Sequence, residues 1–304
     1  MNEPQQRKKY GRRRRRKRNL ILAGFILAVG IIAAIGGFLI WQRYGPSDEM
    51  ADREQYYGLA SADDLAVVIN DQVITKDDES RDAQDNAAPG KIYDGQYYIE
   101  YSVVRNHINK RFYWDPNESI LLYTLPDGNV TVVPESSDYT DINESKSADY
   151  VILKTEGQTA YIALPFIQAY TNMEYSVYDD PNRAVITSEW GEIQTAEIRK
   201  DTEVRYRGGV KSPILTEVSE TDKVTVLADE DDWMRVGTED GYIGYVKTSA
   251  LTNIQTETRS REFEEPVYTN ISKDYATNMA WHNVSNADAN GSIENMLADT
   301  EGLT

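Results

Sequence analysis

Fifty acidic side chains, two histidines and no cysteine make up the reactive inventory of this 304-residue chain. Neighbouring carboxylates can trade protons with a substrate or hold a cation, so the acidic clusters come first. They are Asp77-Asp78-Glu79, Asp179-Asp180 and Asp229-Glu230-Asp231-Asp232. Each falls in a predicted turn or loop, where solvated charge is the ordinary role. No G-x-S-x-G elbow, phosphate-binding loop, H-E-x-x-H pair or nucleophilic cysteine occurs, which removes those reaction classes. With only His107 and His282, a structural zinc or type-2 copper site is not expected, and neither is any other metal or cofactor. The remaining candidates are aromatic. Trp233, Tyr242 and Tyr245 lie on or beside short alternating strands, as rings for a ligand groove or as packing for a small core.

Charge organisation says where such residues work. Residues 7 to 18 hold ten Lys or Arg, including the unbroken run Arg12 to Arg18. Leu20 to Trp41 then runs for 22 residues without a charge. As a helix it spans about 33 Å, enough to cross the hydrocarbon core of a bilayer. Trp41 and Tyr44 stand where interfacial aromatic anchors belong, and Leu20 opens the span. The expectation is an uncleaved signal anchor over 19–42. It follows a basic cytoplasmic tail over 1–18 and places everything after it outside the cell, in a single-pass membrane protein. A cleaved signal peptide is the alternative, although the stretch is longer than a normal h-region.

After Arg18 the chain holds 22 basic and 49 acidic residues. That acidic exterior excludes a large nucleic-acid footprint. The absence of cysteine fits the surface of a Gram-positive bacterium better than a disulfide-rich eukaryotic ectodomain.

The exterior divides into segments. Residues 43–62 are polar and acidic and read as a stalk. Residues 63–188 contain a duplication, with copies at about 65–126 and 129–188. Tyr97-Tyr-Ile-Glu through Asp115-Pro-Asn117 to Thr124 matches Ala160-Tyr-Ile-Ala through Asp180-Pro-Asn182 to Thr187. Each copy predicts a helix, then an aromatic strand, an Asp-Pro-Asn turn and an apolar strand, giving an α+β module. Phe112, Trp114, Tyr175 and Tyr178 read as core, Asn117 and Asn182 as turn formers, and His107 as a solvated helix residue. The pattern resembles the module named after the N-terminal domain of copper amine oxidases, in the form found on Firmicute surface proteins. It implies no copper chemistry here, because no histidine cluster is present.

Residues 193–254 carry Val224-Thr-Val-Leu227, Trp233-Met-Arg-Val236 and Gly241-Tyr-Ile-Gly-Tyr-Val246, three short strands with acidic turns between them. These resemble the successive signatures of bacterial SH3-like domains, which implies a small all-β barrel. The resemblance also implies either a cell-wall peptide or glycan as partner or a spacer role. A linker over 255–273 is expected next. In 274–304, Met279, Ala280, Trp281 and Val284 predict a buried strand, followed by a loop and a short helix carrying Ile293, Met296 and Leu297. The Ala-Trp-His-Asn-Val run resembles the first barrel strand of bacterial family 18 glycoside hydrolases of the spore-germination and chitinase-like type. That implies the start of a truncated TIM barrel, and a parent enzyme acting on N-acetylglucosamine-containing polymers such as peptidoglycan or chitin. The family's Asp-x-x-Asp-x-Asp-x-Glu acid motif is absent, so this chain alone is expected to be inactive. The competing expectation is a non-enzymatic surface protein that binds cell wall through its SH3-like unit.

Overall fold

The computed structural model describes residues 5–78, 87–126 and 128–264. The expected strand at 279–284 and its barrel therefore lie outside the described residues. One helix, Gln5–Tyr44, runs unbroken through the basic tail and the apolar stretch. Its Gly24–Tyr44 portion is long and apolar enough to cross a membrane, and none of it is buried against the rest of the protein.

The remainder is three β-sheets with very little helix, so the α+β expectation for 63–188 is corrected to a mostly β architecture. The helical stretch of the first copy is one turn, Tyr101–Val103, widening into a π-helical turn, Val104–Ile108. That of the second copy is Leu164–Tyr170. Both are short because each only has to lay one apolar face on the sheet. Val103, Val104, Leu164, Phe166 and Ile167 are all buried. The first turn is opened by Glu100, a buried carboxylate that accepts the Ser102 amide at 2.9 Å and the Ser102 hydroxyl. Such capping satisfies amide donors that have no partner inside the helix.

An eight-stranded sheet has the order 153–156, 159–163, 96–100, 90–93, 64–69, 183–187 and 174–178, with Gln72–Ile74 also on Asp64–Ile69. The two Tyr-Ile strands of the duplication lie side by side, second and third from one edge. Ile99 and Ile162, which correspond in the two copies, are direct antiparallel partners. A local two-fold axis therefore passes between them. Away from that axis the copies diverge. The second hairpin, Glu174–Tyr178 with Arg183–Thr187, adds to Asp64–Ile69 in parallel. The first, Phe112–Asp115 with Ile120–Leu125, instead heads a separate five-stranded meander ending at Glu144–Ser147. One core runs beneath both, including Phe112, Trp114, Leu121, Tyr123 and Ile162.

The third sheet has seven strands, from Gly191–Ile198 to Leu251–Arg259, around a small core of Val204, Val224, Met234, Val236 and Val246. Its first and last strands pair from Gly191–Arg259 through Ile198–Leu251. The expected linker therefore begins too early: residues 255–259 are sheet, because their backbone groups bond to 191–195.

The stalk expectation is also corrected. Residues 45–51 run along the seven-stranded unit. The Ser47 amide donates to Val210 O at 2.7 Å, Ile214 N donates to Glu49 O at 2.8 Å, and Ala51 N donates to Ile214 O at 2.7 Å. Helix Arg53–Tyr57 follows, capped by the Asp52 carboxylate at its start and by left-handed Gly58 at its end. It wedges between the sheets. Tyr57, Ala66, Val68, Leu215, Tyr242 and Ile243 form one buried cluster drawn from the strap, the duplicated module and the small unit. The Tyr57 hydroxyl donates to Gly241 O at 2.9 Å and that of Tyr56 donates to Ile243 O at 2.9 Å.

Arg183 closes this seam. Only 4% exposed, it donates from Nε to Asp240 O at 2.5 Å and from Nη2 to Asp240 Oδ2 at 2.8 Å. Nη1 reaches Asp179 O at 2.8 Å and Pro181 O at 3.1 Å. Its guanidinium carbon also lies 5.1 Å from the ring centre of Tyr178 and 4.7 Å from that of Tyr242. A buried guanidinium is tolerated only when its donors are met, and here they are met from both sides of the seam. Gly241 is part of the same fit. At φ +89° it occupies backbone space that favours glycine, and a Cβ there would come within 2.6 Å of Val185 Cγ2.

Two outcomes follow from this packing. Replacing Arg183 by Met should lower unfolding free energy in urea by about 3 kcal/mol, because Asp240 and two turn carbonyls lose their donor. The buried tyrosines also set an alkaline limit. Burial holds the Tyr56 phenol neutral up to about 12, against 10.0 for a free tyrosine, and pushes those of Tyr57 and Tyr242 upward as well. The unfolded chain releases these protons at lower pH than the folded one, so stability is intact below pH 10 and falls between about 10 and 12. Denaturation at stepped pH should show that fall, and it should be shallower in Tyr56→Phe/Tyr57→Phe.

Candidate functional site

The three ring residues singled out from the sequence do not converge on one groove. Trp233 and Tyr245 share a face of the seven-stranded unit, whereas Tyr242 belongs to the seam. In the antiparallel register Trp233 pairs with Lys247 and Arg235 with Tyr245, so all four side chains stand on the same side of the sheet. Met234, Val236 and Val246 alternate with them and point into the core, where they are buried. Trp233 and Tyr245 are both half-exposed, and Arg235 and Lys247 are open to solvent.

Trp233 is held by the loop from Tyr206 to Ser212. A Cβ on Gly208 would lie only 3.3 Å from Trp233 Cγ, so that loop rests directly on the indole. Tyr245 is fixed at its tip, where its hydroxyl donates to Glu230 Oε1 at 3.2 Å. Burial and this carboxylate push its phenol pKa upward. The exposed Tyr206 ring lies 5.9 Å from that of Tyr56, edge to face, and extends the aromatic surface towards the strap. The face is thus an aromatic strip flanked by Arg235, Lys247 and Glu230. It suits a ligand with flat apolar faces and both signs of charge, such as a peptide or a sugar carrying one.

Tyr242 is 1% exposed and lies under Arg183, with its ring centre 5.7 Å from that of Tyr57. Its role as a groove residue is corrected to one of docking between units. At the membrane end, Trp41 and Tyr44 are both exposed along the helix, and the helix backbone includes Leu20.

Of the acidic clusters read as turns, Asp179-Asp180 and Asp231-Asp232 lie in turns, whereas Asp229 and Glu230 end a strand and pair with Met234 and Trp233. Asp179, Asp180 and Asp229 through Asp232 are exposed. His107 differs from expectation: it is largely buried, with Nε2 3.6 Å from Asp78 Oδ2. Among the described residues, no group of three or more His, Asp or Glu is placed to hold a metal ion. Sequence reasoning passed over a cleft of about 340 Å³ between the second hairpin and the seven-stranded unit, lined by Asp71, Glu174, Lys223, Glu239, Glu257 and Arg259. Several of its charges already satisfy one another. Lys223 pairs with Glu257 at 2.8 Å, and Arg259 meets Asp71 at 3.2 Å and Thr225 Oγ1 at 2.8 Å. No signal in the sequence pairs Asp71 with a residue 188 positions away.

Comparison with known proteins places the small unit in a family. No curated protein matches the chain. Two solved structures overlap it weakly, those of NlpC1 and NlpC2 from Trichomonas vaginalis, each at 18% identity over 47% of this chain. The chain spans less than half the length of either, 41% and 43%, and the TM-score is 0.19 for both. Residues 200–252, which carry Trp233, Tyr242 and Tyr245, match the bacterial SH3 domain family.

Proposed function

We propose that the chain is the membrane-anchored adaptor region of a cell-envelope protein, whose SH3 unit holds a wall peptide or glycan on the face bearing Trp233, Arg235 and Tyr245. The observation that carries this reading is the half-exposed pair Trp233 and Tyr245, side by side on the outward face of the unit. A domain serving only as a spacer has no need to keep Trp233 and Tyr245 at the surface beside charges of both signs. The apolar helix at Gly24–Tyr44, with ten cations ahead of it, supports an anchor with the SH3 unit outside. The duplicated module serves as the scaffold to which that unit is bound.

The finer reading is that this region serves a family 18 type hydrolase acting on N-acetylglucosamine-containing polymers. Its support is the resemblance of residues 276–284, which lie outside the described residues. The described residues supply binding and placement to that activity and no acid–base pair. The non-enzymatic alternative uses the same face in the same way.

The full chain in detergent should be retained on purified bacterial cell wall, and Tyr245→Ala should weaken retention roughly tenfold, the loss usual for a central aromatic contact. Tyr245 is the better probe because Trp233 supports the loop at Gly208, so its removal mixes folding with binding. Folded wild-type protein that passes over the wall unretained would refute the binding role. Equal retention of wild type and Tyr245→Ala would move the ligand to another face.

A further inference from the structure

We infer that the loop Tyr206–Lys211 is a lipid-headgroup contact, binding anionic phosphates with Arg207 and Lys211 beside Arg43 of the helix. The inference rests on the anchor reading above and goes beyond it, because an anchor alone does not require the exterior to touch the bilayer.

Three observations lead to it. The first is position. The apolar stretch ends at Tyr44, and the chain does not then run free: Ser47 N bonds to Val210 O, and Arg205 Nη1 bonds back to Ser47 O at 2.9 Å. Lys211 Nζ donates to Gln42 O at 3.0 Å, within the last turn of the helix itself. The loop is thus level with the residues that occupy the interface if the helix spans a bilayer, next to exposed Trp41 and Tyr44.

The second is charge. In an exterior with 22 basic and 49 acidic residues, the sequence Arg205-Tyr-Arg-Gly-Gly-Val-Lys211 is cationic and contains no acid. Arg205 is committed to Glu203 at 2.9 Å, whereas Arg207 and Lys211 form no ion pair among the described residues. Both are exposed. The Lys211 ammonium has three donors, and Gln42 O takes one.

The third is shape. The Arg207 guanidinium lies 5.5 Å from the ring centre of the exposed Tyr206, and that of Arg43 lies 5.7 Å from Tyr44. Each side of the helix end thus carries an arginine over a tyrosine, a pairing that suits an interface apolar on one side and charged on the other. The consequence is geometric. Trp233 packs on Gly208 of this loop, so the ligand face lies one loop away from the bilayer and meets ligands close to the membrane.

The native chain has no cysteine, so single introduced cysteines report one position each. Nitroxides at Gly209→Cys, Ser145→Cys and Phe38→Cys would be compared in the full chain reconstituted in nanodiscs. One set would be phosphatidylcholine alone and the other an equal mixture with phosphatidylglycerol. Gly209 has no atom within 4 Å of an added Cβ, and Ser145 is exposed on the far meander. The Gly209 label should be shielded from a water-soluble nickel relaxant in the anionic discs, at headgroup depth, while the Ser145 label stays open. Arg207→Glu/Lys211→Glu should restore its accessibility, with a loss of contact of roughly fivefold per cation. A Gly209 label as open as Ser145, with Phe38 buried in lipid, overturns the headgroup contact and leaves the anchor standing. A Phe38 label outside the lipid overturns both.

Discussion

The Arg183 guanidinium, withdrawn from water between two tyrosine rings, is the interaction on which the arrangement of the exterior depends. A cation in that position is stable only if every direction it faces offers an acceptor or a ring. The acceptors come from the turn of the second hairpin, Asp179 and Pro181, and from Asp240 across the seam. Two segments 57 residues apart in sequence are therefore held in one geometry. The strap helix then fills the space beside Tyr242 with Tyr57, whose hydroxyl takes the carbonyl of Gly241. Removing Asp240 or the turn would leave the buried guanidinium without acceptors, so the two sides of the seam depend on each other.

Parts of this were legible in the sequence, and the failures share a cause. The Asp-Pro-Asn turns are local patterns, and each closes a hairpin between the aromatic and apolar strands expected around it. The three strand signatures at 224–246 likewise form adjacent strands, because each is set by period-two alternation around a core made within the unit. Tyr242 could not be read in that way. In an isolated small barrel it would sit at the mouth of a strand, facing solvent, and its burial comes from Tyr57 and Arg183, remote in sequence. The polar composition of 43–62 concealed the strap for a related reason. Its contacts with 210–214 are made by backbone groups, which composition does not report. The linker expectation failed identically at 255–259.

For function, a seam in place of a tether changes what the SH3 unit can reach. A domain on a flexible stalk samples a sphere. This one is bonded to the segment that leaves the helix within three residues of Tyr44. Its aromatic strip therefore has a fixed height and direction relative to any bilayer that the helix crosses. The proposed binding face stays clear of the seam because its residues occupy the outward side of strands whose inward side makes the core. Tyr242 and Gly241 lie at the end of that same strand pair, where the module docks. One short sequence run thus carries both the proposed ligand face and the joint that would aim it.

The rigidity of that joint is the central claim, and a distance distribution tests it most directly. Spin labels at Glu118→Cys, in the exposed turn of the first hairpin, and at Lys247→Cys, on the SH3 unit, would be measured by double electron–electron resonance in the full chain. A single narrow distribution, unchanged between detergent and nanodiscs, is the predicted result. A broad distribution, or one that shifts with the surroundings, would show the units moving independently and would contradict the account.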